Sequence, residues 1–260
     1  MASFFSAQAD MNLFPNSQAF FVPTGPFAVY DEDNLVWSPD EEFFTSYLHE
    51  HKDRIVKSAF HINRKAYTIV CEEGNETYAD LLARMFTLAA NGYRDPKPYM
   101  MEYLYLKCDA FFSHELTSGF GFEPATFSGD TAIEAGLSYM FAVFLISYRL
   151  LALDQNEKIN ISCRSEEYKL QTYISSNHDF DIKKDILDDS FLGTLLTATL
   201  TNAGFSLEEG QNDGKKCLCL NAEVCDLPIG TSLSSAGDRF DMAKLFTTFL
   251  AFFTTKKGAV

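Results

Sequence analysis

The chain has 260 residues, 47% of them hydrophobic and 22% charged, with 8 Pro and 14 Gly. That is room for one or two domains with a full core, which excludes wholesale disorder and leaves no need for disulfide staples. The 36 acidic against 21 basic side chains give a net charge of −15, a field that repels phosphate backbones and anionic headgroups and so excludes nucleic acid as a partner. The longest uncharged run, between Glu134 and Arg149, is shorter than the roughly 20 residues a membrane helix needs, so no membrane partner is expected. Residues 1–10 lack a basic region followed by an apolar stretch and a cleavage site, and a cytoplasmic localisation is expected. The 25 phenylalanines predict extensive burial in a core or a subunit interface. Cys71, Cys108 and Cys163 are isolated, and Cys217, Cys219 and Cys225 lack paired zinc-site spacing. Reduced thiols and no metal are expected.

Residues 1–24 show no period and are expected to form an extended N-terminal arm. Over 25–74, Ala28-Val29-Tyr30 and Leu35-Val36-Trp37 flank the turn Asp31-Glu32-Asp33-Asn34, which predicts a hairpin. Ser38-Pro39-Asp40-Glu41 then offers an N-cap, a proline at N1 and a capping-box glutamate, starting a helix with Phe44, Tyr47, Leu48, His51 and Ile55 at helical spacing. Residues 56–61 and 66–71, joined through Asn63-Arg64, predict a second hairpin and complete a small ββαββ unit. Residues 75–93 read as a helix with Leu81, Leu82, Met85, Phe86 and Ala89 on one side and Gly92 as its stop. After Asp95-Pro96-Lys97-Pro98, the helical register returns at Tyr99 and runs to about 116 through Met100, Tyr103, Leu104, Cys108 and Phe111. Residues 75–117 are thus predicted to form an antiparallel helical hairpin of the kind that dimerises.

Over 118–236 helix and strand alternate. An apolar helix is expected at 131–153. A hairpin follows, with Ile159, Ile161 and Cys163 inward on one strand and Tyr168, Leu170, Thr172 and Ile174 on one face of the next. Leu192, Leu195, Leu196, Thr199, Leu200 and Ala203 keep one helical face, and Gly204 stands where a C′ glycine belongs. A last hairpin turns at Gln211-Asn212-Asp213-Gly214 and closes at Asp226-Leu227-Pro228. A C-terminal helix within 237–260, at 240–253, is apolar on most sides.

This order of helix, hairpin, short connection, helix, glycine, hairpin and Leu-Pro resembles the ATP-binding catalytic domain of sensor histidine kinases, of the GHKL ATPase superfamily. The resemblance covers roughly 118–230. Its most specific stretch is Leu192 through Leu227-Pro228, where Leu192-Gly193-Thr194-Leu195-Leu196, Asn202-Ala203-Gly204 and Asn212-Asp213-Gly214-Lys215-Lys216 look like the second glycine motif and final hairpin of that family. It implies an α+β fold: a two-layer α/β sandwich of GHKL (Bergerat) type in the C-terminal half, preceded by the helical hairpin and the small ββαββ unit. The opening of that unit is in part PAS-like.

The resemblance also implies where nucleotide chemistry would sit. The family holds Mg²⁺ with asparagines on the first long helix, and those positions carry Phe144 and Tyr148 here, neither able to ligate a hard cation that wants oxygen donors. The adenine-binding carboxylate falls on Ser176, followed by Asn177. The two glycine positions carry His178 and Phe180, whose side chains crowd a base. The lid is cut to 182–190, and Gly193 is what remains of the second glycine motif. A vestigial pocket of Phe144, Tyr148, Ser176, Asn177 and Gly193 with no ATP or magnesium is therefore expected. His114-Glu115-Leu116-Thr117-Ser118 looks like the phosphoacceptor motif, which makes His114 the candidate catalytic residue, although at the far end of the hairpin. The expected function is a non-catalytic, histidine-kinase-like regulatory or scaffold protein of cytoplasmic signalling, a homodimer with a signalling-protein partner. The alternatives are a phosphotransferase relaying phosphate through a histidine and a divergent, active ATP-binding kinase.

Overall fold

A computed structural model describes residues 27–39, 41–93, 99–100, 105, 120–123, 125–126, 132–153, 158–166, 168–212 and 214–225. The chain divides into two compact units, one of Met1–Leu88, Ser190–Leu195 and Ser234–Val260, the other of Ala89–Asp189 and Leu196–Leu233.

In the first unit, β1 (Phe27–Asp31), β2 (Asn34–Trp37), β3 (Ile55–Ile62) and β4 (Lys65–Glu72) form a four-stranded antiparallel sheet of order β2-β1-β4-β3. The β3–β4 hairpin turns tightly through Asn63 and Arg64, both at positive φ (49° and 71°), the backbone of a two-residue turn whose twist matches its strands. Helix α1 (Glu41–Glu50) sets Phe44 and Leu48 against Ala28 and Val70 on one face of the sheet. On the other face Phe27 meets Tyr78 of α2 (Glu76–Ala90) edge-on, with centroids 5.9 Å apart. Phe60, Tyr67, Phe86 and Phe191 continue that core, and the Phe60–Phe86 and Tyr67–Phe191 centroids lie 5.3 and 5.5 Å apart. Aromatic rings at these separations contribute beyond their buried area. Gly92 ends α2 with φ 59° and donates its N–H to Ala89 O at 3.0 Å, as its position in the sequence requires.

The second unit is built on a five-stranded sheet of order β10-β11-β9-β8-β6, from β6 (Phe120–Phe122), β8 (Ile159–Glu166), β9 (Lys169–Ser175), β10 (Ser206–Asn212) and β11 (Lys215–Glu223). Every pairing is antiparallel except β6 with β8. Cross-strand register lines up Ile161 with Ile174 and Leu218, and Cys163 with Thr172 and Leu220, all buried on one face. Helix α3 (Gly136–Leu153) packs on β8 and β9 from that side. Tyr139 anchors it, its hydroxyl 2.9 Å from both Thr172 Oγ1 and the Leu220 carbonyl. A helix apolar around its whole circumference has to be covered all round, and α3 is buried along most of its length. Helix α4 (Phe191–Ala203) ends at Gly204, φ 75°.

Several expectations are corrected. Ser38 does not cap α1: its hydroxyl donates to the Phe27 carbonyl at 2.9 Å, and the helix runs Glu41–Glu50, so Ile55 opens β3 instead of extending the helical stripe. Tyr99 and Met100 do not open a helix; they form β5 (Tyr99–Met100), paired antiparallel with β7 (Ala132–Ile133), so a partner strand overrides the helical period. The same pairing removes Ala132 and Ile133 from the long helix, which starts at Gly136. Tyr168, expected to share one strand face with Leu170, Thr172 and Ile174, precedes β9 and is 74% exposed. The rest of the second hairpin helix other than Tyr105, the arm at 1–24 and the helix at 240–253 lie outside the described residues. Tyr105 is helical and buried, and its hydroxyl sits 2.7 and 2.8 Å from the carbonyls of Glu123 and Ile161. Among the described residues no helix is long and apolar enough to cross a membrane.

Candidate functional site

The candidate residues of the second unit lie on α3 and on the segment that leaves β9. On α3, Phe144 is 0% exposed and Tyr148 7%, and both are part of the core. Burial pushes the Tyr148 hydroxyl well above its ordinary value, so it stays a neutral phenol. At the end of β9, Ser176 is buried and its Oγ accepts the His178 N–H at 3.0 Å, which closes a local turn. Asn177, His178 and Asp179 are exposed.

Beyond that turn the chain is tied down. Phe180 is buried under Lys216 of β11, whose ammonium lies 4.5 Å from the ring centroid and donates to the Phe180 carbonyl at 2.6 Å. The same ammonium pairs with Asp179 at 3.3 Å and Glu209 at 3.5 Å. Asp181 caps a short π-helical turn, Ile182–Ile186, by accepting the N–H groups of Lys183 and Lys184 at 2.9 and 3.0 Å. Its own N–H donates to Asp185 Oδ2 at 2.7 Å. Ile186 plugs the turn into the core. From α3, Arg149, 11% exposed, donates through Nε and Nη2 to the Asp185 carbonyl at 3.0 and 2.8 Å and pairs with Asp188 at 2.7 Å. A guanidinium held by two acceptors in a fixed fork positions a segment far better than a single contact. Residues 176–188 therefore form a strap closed on α3 at one end and on β11 at the other.

The hydrogen bonds from Lys184 and Lys183 hold the Asp181 carboxyl below the ordinary carboxylate range, because they favour its charged form. A depressed value means that its contribution to the strap is complete above the ordinary aspartate value of about 4 and is lost as pH falls through the lower, folded value. The amide proton shifts of Lys183 and Lys184 should move together in an NMR titration with a midpoint below about pH 4. A midpoint at or above that value would mean the cap is not formed.

Gly193 belongs to the other unit, in the first turn of α4, where its N–H donates to Ser190 Oγ at 3.2 Å. It serves there as part of a helix N-terminus capped by Ser190. His114 lies outside the described residues, and the exposed His178 donates its backbone N–H to the turn that Ser176 closes. Among the described residues no group of three or more His, Cys, Asp or Glu could hold a metal ion. Sequence reasoning singled out Phe180 as a ring where a glycine would be needed. It missed Arg149 and Lys216 as the anchors of the strap. The signal for Arg149 was available, since an arginine closing a long uncharged run on a buried helix has to find acceptors.

A mixed sheet with a largely buried helix on one face gives the second unit two layers, one α and one β. No family model matches the chain, and no curated protein matches it. The solved structures that it resembles include the catalytic domain of histidine kinase ThkA in a nucleotide-free form, with 11% identity and a TM-score of 0.37 over 49% of this chain and 94% of that one. The Acinetobacter baumannii histidine kinase AdeS is similar at 15% identity and a TM-score of 0.36, over 73% of this chain and 86% of its own. Histidine kinase ThkA in complex with the response regulator protein TrrA matches at 9% identity and a TM-score of 0.37, over 77% and 96%.

Proposed function

We propose that the chain is a histidine-kinase-like regulatory protein of cytoplasmic signalling that does not bind ATP and acts through contacts with other proteins, as a homodimer with a signalling partner. The observation that carries this reading is the burial of Phe144 and Tyr148 in the core, at the two α3 positions where the resemblance would place magnesium-binding asparagines. Magnesium demands oxygen ligands at close octahedral distances, and a benzyl ring and a buried neutral phenol do not fit it. The strap adds support, since Phe180 fills with a ring the space that a glycine would leave open to a base. The net charge of −15 adds a further penalty on a polyphosphate that arrives without a metal-binding site.

The test is thermal unfolding of the full chain with and without Mg-ATP. A ligand present at 100 times its Kd and bound to the folded state alone would add about 2.7 kcal/mol, or several degrees in a chain of this size. No shift up to millimolar Mg-ATP is expected. A saturable rise of several degrees would instead establish the active, nucleotide-binding alternative.

A further inference from the structure

Of the two edges of the sheet in the first unit, one is blunted and the other is not. At β2 the edge strand has four residues, and the β1–β2 register shifts between Val29 and Tyr30, two devices that spoil a template for further pairing. β3 has neither. It runs eight residues, pairs with β4 in unbroken register, contains no proline and has no strand on its other side among the described residues. The tight turn at Asn63 and Arg64 fixes which of its groups are free. Ile62 and Lys65, which flank that two-residue turn, exchange both ladder bonds, and so do Phe60 with Tyr67 and Ser58 with Ile69. The N–H and C=O groups of Lys57, Ala59 and His61 therefore point away from β4, and no described residue bonds to them. The side chains of the same three residues are exposed.

Charge selects the guest. Residues 52–65 carry five basic side chains and one acidic one, in a chain whose net charge is −15. Lys65 is paired with Asp31 at 2.5 Å, whereas the exposed Lys57 and Arg64 make no ion pair with a described residue. Neighbouring carboxylates are engaged or distant along the hairpin. Glu72, opposite Ile55, accepts the Tyr47 hydroxyl, and Asp80 accepts the Ser58 hydroxyl on the other face of the sheet. Asp53 and Glu73 stand beside Arg54, at the end of the hairpin away from Arg64. Two copies pairing β3 with β3 would bring Lys57 and Arg64 of both together, and like charges across strands are destabilising. An acidic strand gains where a basic one loses. On the exposed face its carboxylates would meet Lys57 and His61, with the small Ala59 between them, and its alternate side chains would lie beside the half-buried Val56 and Ser58 on the other face. We propose that the outer edge of β3 takes an extended segment of a protein partner, acidic and apolar at alternating positions, as an added strand. Main-chain bonds to residues 57, 59 and 61 supply affinity, and carboxylates against Lys57 supply selection. Such a partner deepens the proposed function and rests on its reading that the chain acts through protein contacts.

The probe is a capped, fluorescently labelled peptide that alternates glutamate and valine, added to the full chain, with the same peptide carrying lysine for glutamate as the control. The glutamate peptide should bind saturably and more weakly as salt rises. It should also slow hydrogen exchange at the Lys57, Ala59 and His61 amides, which exchange freely in the chain alone. Lys57→Glu should weaken binding by about tenfold, because one attraction is lost and one repulsion gained. Ala59→Pro removes an N–H that β4 does not use, so it should melt near wild type and lose binding. The exchange measurement on the wild type needs no variant to fold. No saturable binding of the glutamate peptide, equal binding of the two peptides, or binding without protection of those three amides would overturn the proposal. Protection of the three amides in the chain alone would also overturn it, and protection that grows with protein concentration would assign the edge to a second copy. Mg-ATP reads separately: a chain stabilised by Mg-ATP that still takes the glutamate peptide on β3 would refute the nucleotide-free reading and keep this edge.

Discussion

Replacing Gly92 with alanine is expected to cost about 3 kcal/mol or more, a large part of the 5–15 kcal/mol that holds a typical domain together. Two effects add. Gly92 has φ 59°, a left-handed conformation that costs an L side chain about 1 kcal/mol or more. A Cβ there would also lie 2.4 Å from the Ala203 nitrogen and 2.5 and 2.6 Å from the carbonyl carbon and oxygen of Asn202, all main-chain atoms that no rotamer change can move. Gly92, Asn202 and Ala203 belong to the second unit, where the Asn202 amide donates to the Ala90 carbonyl at 2.6 Å and fixes the ends of α2 and α4 against each other. Gly204 provides the control. Its φ is 75°, but nothing lies within 4 Å of a Cβ placed on it, so Gly204→Ala should show the backbone cost alone, about 1 kcal/mol. Urea denaturation of the two variants measures the difference. Equal midpoints would mean that the two helix ends are not in the close contact described.

The second large effect is expected at Phe144. Phe144→Asn writes back the residue type that a magnesium-binding helix would carry, and it should cost about 4 kcal/mol or more. Removing a fully buried phenylalanine ring costs about 3–5 kcal/mol, and an amide left there without partners adds about 1–3 kcal/mol. A midpoint shift of that size at unchanged denaturant slope would identify the position as core. A loss below about 1 kcal/mol would identify an open cleft beside α3 and would count against the proposed function. The experiment discriminates because a core position and a cleft wall respond oppositely to a polar side chain: the first loses burial, the second gains contact with water.

The two units were legible from the chain to different degrees. Residues 27–72 follow local rules in outline, with β-rich runs on both sides of a polar turn and a two-residue turn at Asn63-Arg64, so ββαββ could be read directly, although the start of α1 could not. The same holds for β8 to β11 and α4, where Gly204 and the turn before Gly214 punctuate strongly periodic segments. Tyr99 and Met100 defeat such reading. Met100 falls into register with a helical stripe, yet with Tyr99 it pairs with Ala132 and Ile133 across more than thirty residues, and a two-residue strand has no periodicity of its own. The strap is illegible for a related reason. Its order comes from Arg149 and Lys216, remote in sequence, and from carbonyl acceptors, which every residue possesses.

The order of residues alone thus determined where most of the longer helices and strands lie, and that positions 144, 148 and 180 carry aromatic rings, because side-chain chemistry and period are local properties. Tertiary structure alone decided that Phe144 and Tyr148 are core, that Arg149 and Lys216 close the strap, and that Tyr99 and Met100 join Ala132 and Ile133 as a strand pair. Burial and hydrogen-bond satisfaction depend on what the rest of the chain brings to a place, and no window of sequence contains that information.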